Sequence, residues 1–146
     1  MILYLDASAL IKCYVEEPGS AETIDIADRA ETVATSLISR AEVAAGLAKA
    51  VRLGSISREI GRKVHRSFVS EWPDITKIPV TEELVSRADA LAWEYALRGY
   101  DAIQMASALS WQESVGVAVT LTTFDLQLWE AGRIARMLVW PTKLAR

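Results

Sequence analysis

Four apolar residues, Ile2-Leu3-Tyr4-Leu5, stop at an acid, Asp6, and run straight into Ala7-Ser8-Ala9-Leu10-Ile11. A run this short and β-prone reads as a strand rather than a helix. Apolar on both alternating faces, it suits the middle of a parallel sheet, where both faces are covered. The residues after Asp6 read as a helix opening. In open α/β sheets ligands and chemistry gather beyond the carboxyl ends of the strands, which is where Asp6 falls. Asp6 either caps the following helix, a position for which Asp is favoured, or serves as a functional carboxylate. The choice turns on whether other acids fall at comparable places.

The rest of the chain alternates in the same way. A short helix is expected over 7–15, broken at Glu16-Glu17-Pro18-Gly19, where proline and glycine punctuate. A second helix is expected over 20–30 with Ile24 and Ala27 inward, and a branched strand at 32–36. Helical periods resume over 37–51 and from about 57 to 72, the latter with Ile60, Val64 and Phe68 as its apolar stripe. Residues 74–80 form a weaker strand candidate because Pro79 sits badly in a central strand. Helices follow from Thr81 to about Leu97 and from Asp101 to Glu113, then a clear strand at 117–121. One more helix opens at Asp125, and a last strand is expected over 134–140. Helices between well-spaced strands predict an α/β fold, a three-layer α/β/α sandwich on a mainly parallel sheet. With 146 residues, the chain reads as one domain over 1–146.

Composition narrows the functional classes. No apolar run reaches bilayer length, and the N-terminus lacks the pattern of a secretory signal. The one cysteine, Cys13, makes no internal disulfide. A cytoplasmic protein without membrane contact is expected, with Cys13 as a packing residue. The net charge of −3 argues against a protein that simply coats nucleic acid. The charge is segregated, however: residues 49–66 hold six Lys or Arg against one acid, Glu59, giving +5 there and −8 elsewhere.

Three further acids resemble Asp6 in placement. Glu42 is the single charge within Ala41-Glu42-Val43-Ala44-Ala45-Gly46-Leu47-Ala48, a turn and a half into the helix after a strand. The small residues Ala41, Ala45 and Gly46 allow close approach, although a lone outward Glu would also satisfy a helix's need for a polar side. Asp101 opens an apolar helix after Gly99-Tyr100, with Gln104 three residues on in a capping-box-like spacing. Asp125 follows the 117–121 strand. If the sheet is parallel, the four acids converge on one edge, where their repulsion would leave one protonated unless a cation intervenes. Without cysteine pairs, and with only His65 as imidazole, a zinc cluster is disfavoured. Oxygen donors suit Mg²⁺ or Mn²⁺, and such a site supports phosphoryl chemistry by metal-activated water. Ser8 either holds a carboxylate or water there or serves as a helix-end hydroxyl.

Competing chemistries fare worse. A dehalogenase-type phosphatase needs a second Asp where Ser8 stands. The chain has no glycine-rich P-loop and no G-x-G-x-x-G. A Ser-His-Asp triad would depend on His65, which lies mid-way in a basic helix with no nucleophile elbow elsewhere.

Taken together, Leu5-Asp6-Ala7-Ser8-Ala9-Leu10, Ser39-Arg40-Ala41-Glu42-Val43, Leu97-Arg98-Gly99-Tyr100-Asp101-Ala102-Ile103-Gln104 and Thr122-Thr123-Phe124-Asp125-Leu126-Gln127-Leu128 resemble the PIN-domain ribonucleases, most closely the VapC-type toxins of toxin–antitoxin pairs. The likeness spans essentially the whole chain and rests on the order and spacing of the motifs. Many relatives carry histidine where Gln104 stands, a departure beside the acids rather than at one of them. The resemblance implies a Rossmann-like PIN fold with five strands in order 3-2-1-4-5. It implies that Asp6, Glu42, Asp101 and Asp125 form the acidic quartet holding one or two Mg²⁺ or Mn²⁺ ions. Asp6 and Asp101 would be the firmest ligands, with Asp125 completing the site directly or through water, Glu42 assisting a second ion or water, and Ser8 or Thr123 in support; Arg98, three residues before Asp101, is a candidate for pairing with a carboxylate or binding a backbone phosphate. The implied activity is endonucleolytic cleavage of RNA leaving 5′-phosphate and 3′-hydroxyl ends. Implied partners are a small antitoxin, a second copy of the chain, and promoter DNA reached only through the antitoxin complex.

Arg58, Arg62 and Arg66 recur at four-residue spacing and, with Lys12, are candidates for contact with RNA or with antitoxin carboxylates; a solvated face is the alternative. Trp93 and Trp111 are expected in the core or an interface, and no tryptophan is assigned to base stacking. Two other functions remain open: a PIN-like RNA- or protein-binding module with weak or no catalysis, and a PIN nuclease of RNA maturation.

Overall fold

The structure, a computed structural model, describes residues 1–145. Five strands, β1 (Ile2–Leu5), β2 (Thr32–Ser36), β3 (Thr76–Ile78), β4 (Thr120–Thr122) and β5 (Leu138–Trp140), form one sheet in the order β3-β2-β1-β4-β5. Every neighbouring pair is parallel, so all five carboxyl ends lie along one edge. The helices are α1 (Ala7–Lys12), α2 (Ser20–Asp28), α3 (Ser39–Arg52), α4 (Arg58–Glu71), α5 (Glu82–Tyr95), α6 (Gly99–Val115) and α7 (Leu126–Ile134). The expected sandwich and strand order are both present.

Alternation along β1 divides the interior in two. Tyr4, with Ala34, Val119 and Leu121, packs under α5, α6 and α7, while Leu3 and Leu5 pack under α1 to α4 with Val43, Leu47, Phe68 and Trp72. This arrangement makes β1 the buried central strand, with Leu3, Tyr4 and Leu5 essentially inaccessible. On one side α7 sits close to the sheet at Gly132, where a Cβ would come within 2.8 Å of Leu121. On the other, α3 meets α1 at Gly46, where a Cβ would lie 3.0 Å from Ile11. No helix among the described residues is long and apolar enough to cross a membrane.

Several expected details are corrected. The first helix ends at Lys12 rather than Val15. In α2, Thr23 and Ile26 face inward, and Ile24 is exposed. In α4, Val64 and Phe68 face the core as expected, but Ile60 is half exposed and Gly61 is buried in its stead. The reason is the approach of α3, since a Cβ on Gly61 would stand 2.7 Å from Val51. β3 is shortened because Trp72–Asp74 forms a 3-10 turn ahead of it. β4 begins at Thr120, not 117: Gly116 ends α6 in a left-handed conformation, and the next three residues are connector, anchored by Val119 N donating to Gln112 Oε1. β5 starts at Leu138 because Ile134 still belongs to α7 and Arg136 turns the chain with φ 61°. Trp111 is buried as expected; Trp93 lies outside the core, 86% exposed.

Candidate active site

Asp6 occupies the end of β1 and is the N-cap of α1. Its extended backbone ends the strand, its Oδ1 accepts from Ala9 N (2.9 Å) and Ser8 Oγ (2.7 Å), and its Oδ2 accepts from Thr123 Oγ1 (2.6 Å). Capping and a site role therefore coexist in one carboxylate. The side chain is nearly inaccessible, 4% exposed. Burial pushes its carboxyl up to about 6, against the pull of those three donors and with the Glu42 charge adding to the rise.

The end of β4 is tied to the same corner. Thr123 Oγ1 also accepts from Asp125 N (3.1 Å), and Ser8 Oγ accepts from Phe124 N (2.9 Å). Asp125 then caps α7, its Oδ1 accepting from Leu128 N (2.9 Å). Ser8 and Thr123 thus stitch the two adjacent strand ends β1 and β4 together around Asp6.

Asp101 lies one turn into α6. The expected capping box is not formed: the helix starts at Gly99 with Arg98 as N-cap, which places Asp101 at the third helical position. Arg98 instead bridges two acids. Its Nε donates to Asp101 Oδ2 (2.9 Å) and its Nη2 to Asp125 Oδ2 (2.8 Å). The Asp101 and Asp125 side chains are 13% and 24% exposed, that of Arg98 71%. Burial raises the Asp101 carboxyl, opposed by the Arg98 hydrogen bond and reinforced by the Asp125 charge.

Glu42, in the first turn of α3, accepts from Gln104 Nε2 at 2.7 Å. Burial raises its carboxyl as well, opposed by that hydrogen bond and by Arg98, reinforced by Asp101. Gln104, which the sequence suggested as a helix-cap partner, has a different role in the fold. It is 1% exposed, accepts from Tyr4 Oη at 2.6 Å, and its Nε2 also reaches Ser39 Oγ at 3.0 Å. Ser39 lies 2.7 Å from Thr35 Oγ1, which donates to Leu5 O. A buried polar thread therefore runs from the end of β1 through β2 and α3 to α6 and ends on Glu42. The available signal was an amide in the apolar first half of the helix, between Ile103 and Met105.

All four acids consequently stand along the carboxyl edge, and the electrostatic influence passes from neighbour to neighbour: Asp6 with Glu42, Glu42 with Asp101, Asp101 with Asp125. The donor set is all carboxylate oxygen, with neither thiol nor imidazole, and three of its members are held above the usual carboxylate range. That chemistry fits a hard divalent cation. As the side chains stand, no group of three His, Cys, Asp or Glu among the described residues is arranged to hold a metal ion; the positive charge between the acids is the Arg98 guanidinium.

The remaining candidates lie elsewhere. Lys12 is engaged, donating to Glu17 Oε1 and Pro18 O at 2.9 Å and lying 4.4 Å from the Phe124 ring centre. Arg58, Arg62 and Arg66 are exposed and edge a groove between α4 and α3, floored by Leu47, Ala48 and Val51, that contains none of the four acids. Burial pushes the Cys13 thiol up to about 11, which removes it as a nucleophile at neutral pH.

Residues 3–133 match the family model of the PIN domain. The chain belongs to the PIN domain family. This PIN domain is similar to ribonuclease VapC45 of Mycobacterium tuberculosis (strain CDC 1551 / Oshkosh), 28% identical over 143 residues, which is 98% of this chain and 97% of that protein. Its fold is similar to that of VapBC2 from Rickettsia felis bound to a DNA fragment from their promoter, with a TM-score of 0.64, 18% identity and coverage of 95% and 97% of the two chains. A toxin–antitoxin complex from Klebsiella pneumoniae is also similar, with a TM-score of 0.56, 19% identity and coverage of 82% and 84%. At these identities the structural likenesses establish the fold.

Proposed function

We propose that this PIN domain is a divalent-metal-dependent endoribonuclease and the toxin component of a type II toxin–antitoxin pair, acting in the cytoplasm. The observation that carries the reading is the row of carboxylates on the carboxyl edge, three of them raised by burial and each within reach of the next one's charge. The similarity to a protein named ribonuclease VapC45 supports the RNA substrate, and the likeness to a toxin–antitoxin complex supports the antitoxin partner.

Asp6, Asp101 and Asp125 would hold the principal Mg²⁺ or Mn²⁺, and Glu42 would aid a second ion or water. When bound, such a cation supplies activated water and stabilises charge on the scissile phosphate. The chain's own residues set the stage. Ser8 and Ala9 N engage Oδ1 of Asp6 twice, whereas Oδ2 receives only Thr123. A carboxylate oxygen has two lone-pair sites, so Oδ2 keeps one for a cation in a fixed direction. Gln104 does the same for Glu42 by holding Oε1. Arg58, Arg62 and Arg66 line a basic-edged groove suited to RNA phosphate or to antitoxin carboxylates, and a homodimer with promoter binding through the antitoxin completes the reading.

A binding module without catalysis is the second reading, favoured by the Arg98 bridge that already neutralises two of the acids. One assay separates the two. Purified protein is incubated with total cellular RNA in Mg²⁺ or Mn²⁺ and the cut ends are mapped. Cleavage with 5′-phosphate and 3′-hydroxyl ends, abolished by chelator, is expected. Asp6→Asn and Asp101→Asn should each lower it at least about 100-fold with an unchanged circular-dichroism spectrum. Cleavage that survives both substitutions would falsify the assigned site, and intact RNA throughout would favour the binding module.

A further inference from the structure

The metal-nuclease reading gives Arg98 only a supporting place, although it touches two of the four acids. As N-cap of α6 it has extended backbone (φ −65°, ψ 156°) and its side chain makes no cap hydrogen bond. The guanidinium therefore leaves the helix end and lies across Asp101 and Asp125, taking Oδ2 of each. The two acids come from different elements, the first turn of α6 and the N-cap of α7, and among the described residues the Arg98 side chain is the ion-pair partner of both. Asp125 Oδ1 is occupied by Leu128 N, so Oδ2 is the oxygen through which Asp125 meets a positive charge.

We propose that Arg98 is an internal counter-ion that competes with the divalent cation for the Asp101 and Asp125 oxygens, so that it sets how much free metal is needed to load the site. The inference rests on the metal-nuclease reading above. The physics favours exchange rather than permanent blockade. Without a cation, two like charges on side chains only 13% and 24% exposed would stand together with little water to screen them. One guanidinium relieves both. Its own side chain is 71% exposed, and an ion pair with one partner so open to water is weakly held. A divalent ion carries twice the charge and binds oxygen directly, so it displaces the arginine once its concentration suffices. Asp6 offers no comparable competition, being held by neutral hydroxyls and an amide.

The test measures metal binding rather than turnover. The full chain is freed of metal with chelator and dialysed, and Mn²⁺ affinity is measured by titration calorimetry for wild type, Arg98→Gln and Arg98→Lys. Thermal unfolding is recorded in chelator and in Mn²⁺. Arg98→Gln should bind Mn²⁺ about three- to tenfold tighter, the size expected for one or two exposed ion pairs, yet melt lower in chelator. Arg98→Lys, with a single ammonium in place of the fork, should fall between. Tighter binding alongside a lower metal-free melting temperature is a combination that a merely structural arginine does not produce. Affinity unchanged or weakened in Arg98→Gln overturns the proposal while leaving the nuclease reading intact. If none of the three proteins binds Mn²⁺, both fall together. If Arg98→Gln does not fold, Arg98→Lys decides alone: an affinity equal to or weaker than wild type overturns the proposal.

Discussion

The Asp6 corner and the Asp101–Asp125 pair bear the same kind of charge on the same edge of one sheet, yet they are held by opposite means. Asp6 is enclosed by neutral donors fixed to secondary structure: the amide of Ala9 and the hydroxyls of Ser8 and Thr123. Thr123 and Ser8 are themselves tied to the backbone after β4. Asp101 and Asp125 share a single cation that is largely in water, with only Asp125 anchored besides by a backbone amide, that of Leu128. Neutral donors orient a carboxylate without cancelling its charge, so the corner keeps its appetite for a cation. An arginine cancels the charge and must be displaced. One half of the edge is a rigid socket, and the other is set by exchange between counter-ions.

Three experiments would break or sharpen that contrast. The largest effect is expected from Thr123→Val. The substitution takes the Asp6 Oδ2 donor and the Asp125 amide's acceptor away together while keeping the side-chain shape. Leaving two buried groups unsatisfied should cost about 4 kcal/mol in urea unfolding, with Thr123→Ser close to wild type. A loss no greater than that of an exposed substitution would show that the corner is not rigidly built.

Next in size is the pH dependence of stability in chelator. The folded-state Asp6 carboxyl is raised to about 6, above its ordinary value, so the fold binds this proton more tightly than the unfolded chain does. Its stabilising contribution is therefore complete below about pH 4, declines between about 4 and 6, and is absent above, for a total of up to about 3 kcal/mol. Glu42 and Asp101 shift in the same direction. Urea midpoints of wild type should fall relative to Asp6→Asn across that window, and saturating Mn²⁺ should reverse the trend. A difference that stays flat with pH would mean that burial is not what raises Asp6.

The smallest of the three is Gln104→Leu, which leaves Tyr4 Oη and Ser39 Oγ short of partners and releases Glu42. A loss of about 2 kcal/mol in unfolding free energy is expected. Gln104→His should recover part of it, because a neutral imidazole also pairs one donor with one acceptor. Full stability in Gln104→Leu would reduce the polar thread beneath Glu42 to an incidental contact.

Residue order and type alone determined a good deal here. The apolar run before Asp6 specifies a buried central strand because β1 is covered on both faces, and an all-parallel sheet then puts every strand's carboxyl end on one edge. Asp6 and Asp125 were legible as strand-end acids and Glu42 as the lone charge of its helix face, since local pattern governs where a strand stops. What pattern did not contain was phase and partnership. At the start of α4, Gly61 rather than Ile60 is buried because α3 approaches there at Val51, a residue ten positions away, while Val64 and Phe68 keep the expected stripe. Gln104 carried the spacing of a helix cap, but a helix starting at Gly99 sent its amide across the interior to Tyr4 and Glu42. Arg98 was legible as a partner for a carboxylate from its place three residues before Asp101, but its second partner, Asp125, appeared only when α6 and α7 were placed side by side. Which acid is locked and which is clamped depends on groups separated by up to 117 positions, and only the closed fold brings such groups within hydrogen-bond range.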